Sequence, residues 1–298
     1  MQRNVTAGAP TLAMPVVKAR SRRRDFVKGL TSNKGALAGL IILCLLILTA
    51  IFAPWITQYN PVVIDPPQRT QPPSRDHWFG TDAFGRDIFT RVVYGARISL
   101  PVGLVAVSIA ATVGAILGLI SGYYGRFADG IIMRFIDIML AFPNIMLALV
   151  IVAILGPSIR NVMIAVGIGE IPRYTRLIRG QVLSARELLY VEAAKVVGVP
   201  TSKIMYRHIL PNVVSPVVVL ATLSVGSAIL AAAGLSFLGL GAQPPRPEWG
   251  AMLADGRQFL SSHWWVATMP GIAIAITVLS INMLGDGLRD ILDPRIRT

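Results

Sequence analysis

The side chains with the most definite chemical pattern lie in a polar segment between apolar stretches of this 298-residue chain. Its characteristic residues are Glu192, Ala193, Ala194, Gly198, Leu210 and Pro211. A carboxylate held on a short helix can form ion pairs with cations of its own loop or of a partner protein. Alanine favours such a helix, and glycine ends one by taking the left-handed conformation at least cost. The pattern predicts two short helices joined at a glycine elbow.

The elements that position Glu192 are predicted from the residues around it. Ser184 followed by Glu187 is typical of a capping box, so we expect a short helix to begin there. Pro200 suits the start of a second short helix, and Pro211 suits the first turn of an apolar span. Residues 184–211 then form a knob between two spans.

Other kinds of site are excluded by residue type. The three histidines are scattered at His77, His208 and His263, and the single cysteine, Cys44, lies in an apolar run. We therefore expect no metal site and no cofactor. No lysine follows a glycine, so a phosphate-binding Walker A loop is excluded. We expect no enzyme activity in this chain, and any ATP hydrolysis must belong to a separate protein.

The composition indicates an integral membrane protein. Hydrophobic residues make up 54% of the chain and charged residues only 14%, whereas soluble domains carry about a quarter charged residues. The net charge of +13 by itself would fit a nucleic-acid partner. The basic residues instead lie in tails and loops beside apolar spans, where they orient a protein in the bilayer. We expect no nucleic-acid partner.

Uncharged stretches long enough to cross a bilayer define the spans. Five of them are 35–64, 98–125, 138–159, 208–245 and 258–285. A weaker sixth span is expected near 159–176, where Glu170 and Arg173 interrupt the apolar run. The prediction is an all-α, polytopic membrane protein with six transmembrane helices.

The basic residues predict the orientation of these spans. The first 33 residues carry seven Lys/Arg against one Asp, and residues 172–207 carry seven against two Glu. Segments 58–97 and 241–264 are nearly balanced. Because basic loops stay inside, we expect both termini and the 184–211 loop in the cytoplasm.

Small and polar residues inside the spans leave several alternatives open. Gly114, Gly118 and Gly122 form a ridge for close helix packing, either within the chain or between subunits. Three serines, Ser224, Ser227 and Ser236, either face a polar pathway or bond to backbone carbonyls of their own helix.

Charged residues near the span ends have alternatives too. Arg134 and Asp137 are expected to pair with each other. Glu170 either lines an inner vestibule or pairs with Arg173 or Arg176.

Four segments in one order resemble the C-type permease subunits of dipeptide and oligopeptide ABC importers. They are the Glu-Ala-Ala loop 184–211 (the EAA loop of that family), 77–87 (HWFGTDAFGRD), 235–245 (LSFLGLGAQPP) and 282–294 (NMLGDGLRDILDP). The resemblance covers roughly residues 30–295. It implies the type I ABC importer permease fold, in which the EAA loop couples to an ATPase.

This resemblance also implies an organisation along the chain. Residues 1–34 form a basic cytoplasmic tail, 35–97 the first span and outer loop, 98–288 the permease core, and 289–298 a cytoplasmic C-terminus. The protein would lie in the bacterial inner membrane. Its partners would be the lipid bilayer, a homologous second permease, two ABC ATPase subunits and an extracytoplasmic substrate-binding protein.

The implied function is to form half of a translocation pathway for dipeptides or oligopeptides. Nickel and glutathione permeases share the motifs and stay as alternatives. A rival from another class is a secondary carrier or channel, which would need inverted repeats or charges at span centres. The charges of this chain cluster at the ends of the expected spans, which favours the permease.

Overall fold

The computed structural model describes residues 29–292, and its named secondary-structure elements are all helices. The long helices are α1 (Lys34–Ile51), α3 (Ile88–Tyr124), α4 (Arg126–Leu140), α5 (Asn144–Leu155), α6 (Ile159–Ala185), α9 (Leu210–Phe237) and α11 (Trp265–Leu292). Short helices are α2 (Ala53–Ile56), α7 (Leu189–Val196), α8 (Thr201–Lys203) and α10 (Trp249–Gly256). The basic segment 1–28, Asp293 and Arg295 lie outside the described residues.

Four helices are long and apolar enough to cross a membrane: α1, α3, the continuous helix Thr201–Phe237, and α11. A fifth candidate consists of α4 and α5, which meet at an angle of 91°. The expected weaker span near 159–176 coincides with α6, a helix of 27 residues that is not among these membrane-span candidates. Its charged residues, among them Glu170, keep α6 outside the apolar set. The prediction of an all-helical membrane protein is confirmed. The helix at the weaker span, α6, is longer and more polar than expected.

The most extensive helix contact in the described part joins α3 to α6. Three of the five glycines of α3 face side chains of α6, in the pairs Gly114–Tyr174, Gly118–Ile178 and Gly122–Val182. A methyl group at Gly114 would lie 2.5 Å from the Cβ atom of Tyr174, closer than van der Waals contact allows. The glycine ridge therefore packs within the chain, which decides between the two alternatives.

α3 begins about ten residues before the expected boundary at 97/98. Its N-cap is Asp87, whose carboxylate accepts a hydrogen bond of 2.7 Å from the Thr90 amide. Asp82 instead organises the preceding loop, since its carboxylate accepts bonds from the amide and the guanidinium of Arg86. The segment 58–97 therefore contains a folded loop and the first turns of the second long helix.

Two loops that each join a pair of long helices, 57–87 and 238–264, lie together at one end of the bundle, which we call the loop end. The Arg91 guanidinium donates to the carbonyls of Pro61 (2.7 Å) and Pro245 (3.4 Å) and so joins the two loops. At the opposite end, Asn33 donates to Asp290 at 3.3 Å, so the two termini of the helical bundle lie close together.

Two tryptophans, a residue type that is enriched at membrane boundaries, are core residues in this protein. Trp249 and Trp265 are 1% and 8% exposed and pack around Ile88. The indole of Trp249 donates to the Val92 carbonyl at 2.9 Å. Trp264 is half exposed, as a boundary residue would be.

We predict that Gly114→Ala lowers the melting temperature of the purified protein because the new methyl group forces α3 and α6 apart. Overpacking of this kind costs about 1–3 kcal/mol. The matched control is Gly180→Ala on α6, where an added methyl group meets no atom within 4 Å. The two variants are compared by thermal unfolding in detergent, and equal melting temperatures would contradict the packing argument.

Candidate functional site

The EAA loop folds as a helix, an elbow and a second helix. The first helix, α7, begins at Leu189 and has no side-chain cap. The expected capping box is wrong, because Ser184 lies inside α6 and its hydroxyl donates to the Gly180 carbonyl at 3.3 Å. α6 continues through this point since Val182 and Ala185 are buried in the packing against its neighbours.

The elbow is a Schellman motif centred on Gly198. The Val199 amide donates to the Ala194 carbonyl and the Gly198 amide to the Lys195 carbonyl, both at 3.0 Å. Gly198 has a φ of +82°, and a Cβ atom there would meet no neighbour within 4 Å. Glycine is therefore required for its backbone conformation and not for space, as the sequence predicts.

The two alanines of the motif have different surroundings. Ala194 is buried beside Val191 and Ile204, and it holds α7 against the start of the next helix. Ala193 and Glu192 face outward. Within residues 29–292, the Glu192 carboxylate forms no hydrogen bond or ion pair, so it does not link the two short helices.

Three exposed apolar side chains surround the elbow. Leu189, Val196 and Val197 are 82%, 83% and 82% exposed, although apolar side chains of this kind are usually buried when they cluster. Together with the free Glu192 carboxylate they form a surface that we call the elbow face. Its chemistry is that of a protein contact with an apolar centre and one anionic group.

The second helix of the unit differs from the prediction that Leu210-Pro211 opens a span. A single helix runs from Thr201 to Phe237, and residues 204–209 form a π-helical turn within it. The Leu210 amide bonds to the Met205 carbonyl, five residues back. The wide turn accommodates Pro211, which has no amide hydrogen to donate.

Polar contacts that the sequence reasoning missed attach the elbow unit to the bundle. The Asn212 amide group donates to the Tyr190 hydroxyl at 2.9 Å and to the His208 carbonyl at 2.7 Å. The Arg186 guanidinium donates to the Gly122 carbonyl at 3.0 Å, and the Lys195 ammonium lies 5.7 Å from the Tyr123 ring centre. These contacts join the elbow unit to α3 and α9.

The serines of α9 do not behave alike. Ser224 and Ser236 are buried, and neither hydroxyl oxygen has a hydrogen-bond partner among the described residues. The alternative that they bond to their own backbone is thus wrong. Ser227 is exposed on the surface of the chain. Their role as pathway residues stays a prediction.

Three polar contacts, which we call rungs, join the bent pair α4–α5 to α6. The carboxylate of Asp129 accepts two bonds from Arg179, at 2.5 and 2.6 Å, and Asp137 accepts one from Arg176 at 2.7 Å. The third rung is a bond of 2.6 Å from the Asn144 amide group to Glu170. These contacts are specified by the approach of two helices and not by sequence spacing.

The rungs correct two expectations. Asp137 pairs with Arg176 of α6 and not with Arg134, since the bend after α4 brings α6 within reach. Glu170 pairs neither with Arg173 nor with Arg176.

Two family descriptions match this sequence. Residues 114–298 match the binding-protein-dependent transport system inner membrane component family. Residues 21–73 match the N-terminal transmembrane domain of oligopeptide transport permease C.

Curated relatives match nearly the whole chain. A dipeptide transport system permease protein from Alkalihalophilus pseudofirmus is 54% identical, over 92% of this chain and 90% of its own. A di/tripeptide transport system permease protein from Pseudomonas aeruginosa is 44% identical, over 99% and 97%. A glutathione transport system permease protein from Escherichia coli is 47% identical, over 96% and 95%.

A solved structure shares the fold. An inward-facing structure of the MetNI methionine ABC transporter matches with a TM-score of 0.54 at 18% identity. The match covers 68% of this chain and 97% of the MetNI chain. The type I importer permease fold implied by the sequence motifs is confirmed.

Proposed function

We propose short peptides as the cargo of this chain, which belongs to the family of inner membrane components of binding-protein-dependent transport systems. As an ABC permease it is a multi-pass inner-membrane protein, and separate ATPase subunits hydrolyse the ATP. The proposal of a peptide cargo rests on the match to a dipeptide permease, which is 54% identical over nine-tenths of this chain. The relative named for glutathione transport supports the same class, because glutathione is itself a small peptide.

The elbow face is the surface that we assign to the ATPase. It projects at the end of the bundle opposite the loop end, which we call the elbow end, and it exposes Val196 and Val197 without a covering element. The Schellman motif fixes its shape, and the contacts from Asn212 and Arg186 link it to the long helices. An ATPase that pulls on this face would therefore move α3, α6 and α9 together.

The orientation and the remaining partners complete the proposal. The start of α1 and the end of α11 both lie at the elbow end, where Asn33 bonds to Asp290. We place this end in the cytoplasm, as the basic residues predict. The loop end then faces outward and meets the substrate-binding protein. A homologous permease supplies the other half of the pathway, and each permease engages one of two ATPases through its EAA loop.

Transport by the complete importer tests the proposed cargo. We expect proteoliposomes containing both permeases, the ATPases and the binding protein to accumulate a labelled dipeptide only when ATP is supplied. Unlabelled dipeptide should compete with it, while nickel ions should not. Uptake of nickel without peptide, or peptide uptake driven by an ion gradient without ATP, would refute the proposal.

Substitutions at the elbow test the ATPase contact. We expect Gly198→Val and Glu192→Lys to insert normally but to lower ATPase co-purification and transport. The backbone strain at position 198 should cost about 1 kcal/mol or more. Gly198→Asn is the matched control, since asparagine tolerates the left-handed conformation. This variant should retain more ATPase co-purification and more transport than Gly198→Val. Wild-type co-purification and uptake in the first two variants would show that the ATPase binds elsewhere.

Cysteine labelling tests the orientation. In a background without Cys44, we expect Thr70→Cys to react with an impermeant maleimide added outside intact cells. Tyr190→Cys should react only after the membrane is permeabilised. Labelling of position 190 in intact cells would reverse the proposed topology.

A further inference from the structure

Glu170 lies deep along α6, so the expectation that the charged residues cluster at span ends does not hold for this helix. At a rise of about 1.5 Å per residue, it is about 16 Å along the helix from Ile159, the residue at which α6 begins. The hydrocarbon core of a bilayer is about 30 Å thick, so a helix that enters near Ile159 places Glu170 close to the midplane. Charged side chains at that depth do not face lipid, because the loss of hydration is too costly.

The same depth contains a break in the neighbouring span. The helix is interrupted at residues 141–143, between α4 and α5, and these residues are exposed. Asn144, directly after the break, donates to Glu170. Interrupted backbone at membrane depth occurs only where it is covered by protein or lines a water-filled cavity. Two independent features thus place this face of α6 away from lipid.

The rungs show which charges on this face are left without a partner. Arg179 and Arg176 are paired with Asp129 and Asp137. The bond from Asn144 orients the Glu170 carboxylate, but an amide does not neutralise its charge. Arg173 is exposed, and within residues 29–292 it forms no hydrogen bond or ion pair.

The two remaining charges are opposite in sign and lie three residues apart on one helix. Side chains at that spacing point to the same side, with about 5–6 Å between their Cβ atoms. They could pair with each other, yet the Glu170 carboxylate is held by Asn144 instead. The result is an anion and a cation side by side, both open to an occupant of the space beside α6.

We infer that Glu170 and Arg173 form a subsite in the transport pathway for a zwitterion, the charged form of a short peptide with free termini. This inference rests on the peptide cargo proposed above. The peptide ammonium donates to the Glu170 carboxylate, and the peptide carboxylate accepts from the Arg173 guanidinium, whose planar fork suits it. The carboxylate that Asn144 positions therefore discriminates for the free amino terminus.

The test compares cargo chemistry in the reconstituted importer. Wild type and Glu170→Gln are assayed with a free dipeptide and with its N-acetylated form, using the same binding protein throughout. We expect Glu170→Gln to lower uptake of the free dipeptide about tenfold or more, since bonds to charged groups contribute about 1.5–3 kcal/mol. Uptake of the acetylated form should change little, so the preference between the two falls.

Matched variants separate this role from a structural one. Glu170→Asp retains the charge and should recover part of the preference. Arg173→Gln should lower the preference for a free over an amidated carboxyl terminus. Asp65→Asn removes an exposed carboxylate of the loop end that makes no side-chain cap bond, and it should leave both preferences unchanged.

Three outcomes would overturn the inference. If Glu170→Gln keeps the wild-type preference for the free over the N-acetylated dipeptide, the Glu170 carboxylate does not bind the ammonium group of the cargo. Loss of co-purification with the second permease shows that Glu170 faces that subunit. If the wild-type importer carries no peptide at all, the proposed cargo fails and the subsite with it, whereas the first two outcomes leave the cargo intact.

Discussion

The close contact between α3 and α6 is the constraint on which the rest of the structure depends. Three glycines let the backbone of α3 approach the side chains of Tyr174, Ile178 and Val182, so that the two helices are in close contact along about two turns. No side chain at those positions of α3 fits this distance. α6 leads directly into the EAA loop, and the position of the elbow is therefore set by a contact made within the bundle.

The contact also determines what the other face of α6 can do. With one face packed against α3, the exposed side of α6 carries Arg173 and Arg176, and the half-buried Glu170 lies at the edge of that side. α4 lies beside it and compensates Arg176 and Arg179 through the carboxylates of Asp137 and Asp129. A helix of this composition is stable in a membrane only because protein and water cover it. Its low hydropathy is thus a consequence of its position.

Local rules account for the parts of the site that were predicted from sequence. Gly198 ends α7 with a positive φ because a left-handed residue is needed there, and Pro200 precedes the second short helix. The capping-box prediction at Ser184 failed because buried packing at Val182 and Ala185 continues α6 past it. Leu210-Pro211 was misassigned because a π turn admits proline inside a helix, and no sequence pattern announces such a turn.

Contacts between distant segments were beyond sequence reasoning. Asp137 and Arg134 have the spacing of a helical pair, yet the bend after α4 turns Asp137 toward Arg176. Trp249 has the residue type of a membrane boundary, but its indole is enclosed by the loop end. In each case the partner comes from another helix, and only tertiary structure identifies it.

The middle and the C-terminal end of α6 bring the cargo subsite and the ATPase surface that we propose onto one helix. Its C-terminal end leads to the elbow, where the tightly bonded Gly198 turn leaves little freedom for independent motion. Its middle carries Glu170 beside the break in the neighbouring span. In the proposed importer, a pull of the ATPase on the elbow face acts on the same helix that carries Glu170. The cargo contact and the ATPase contact that we propose therefore lie on, and directly after, one continuous helix, Ile159–Ala185.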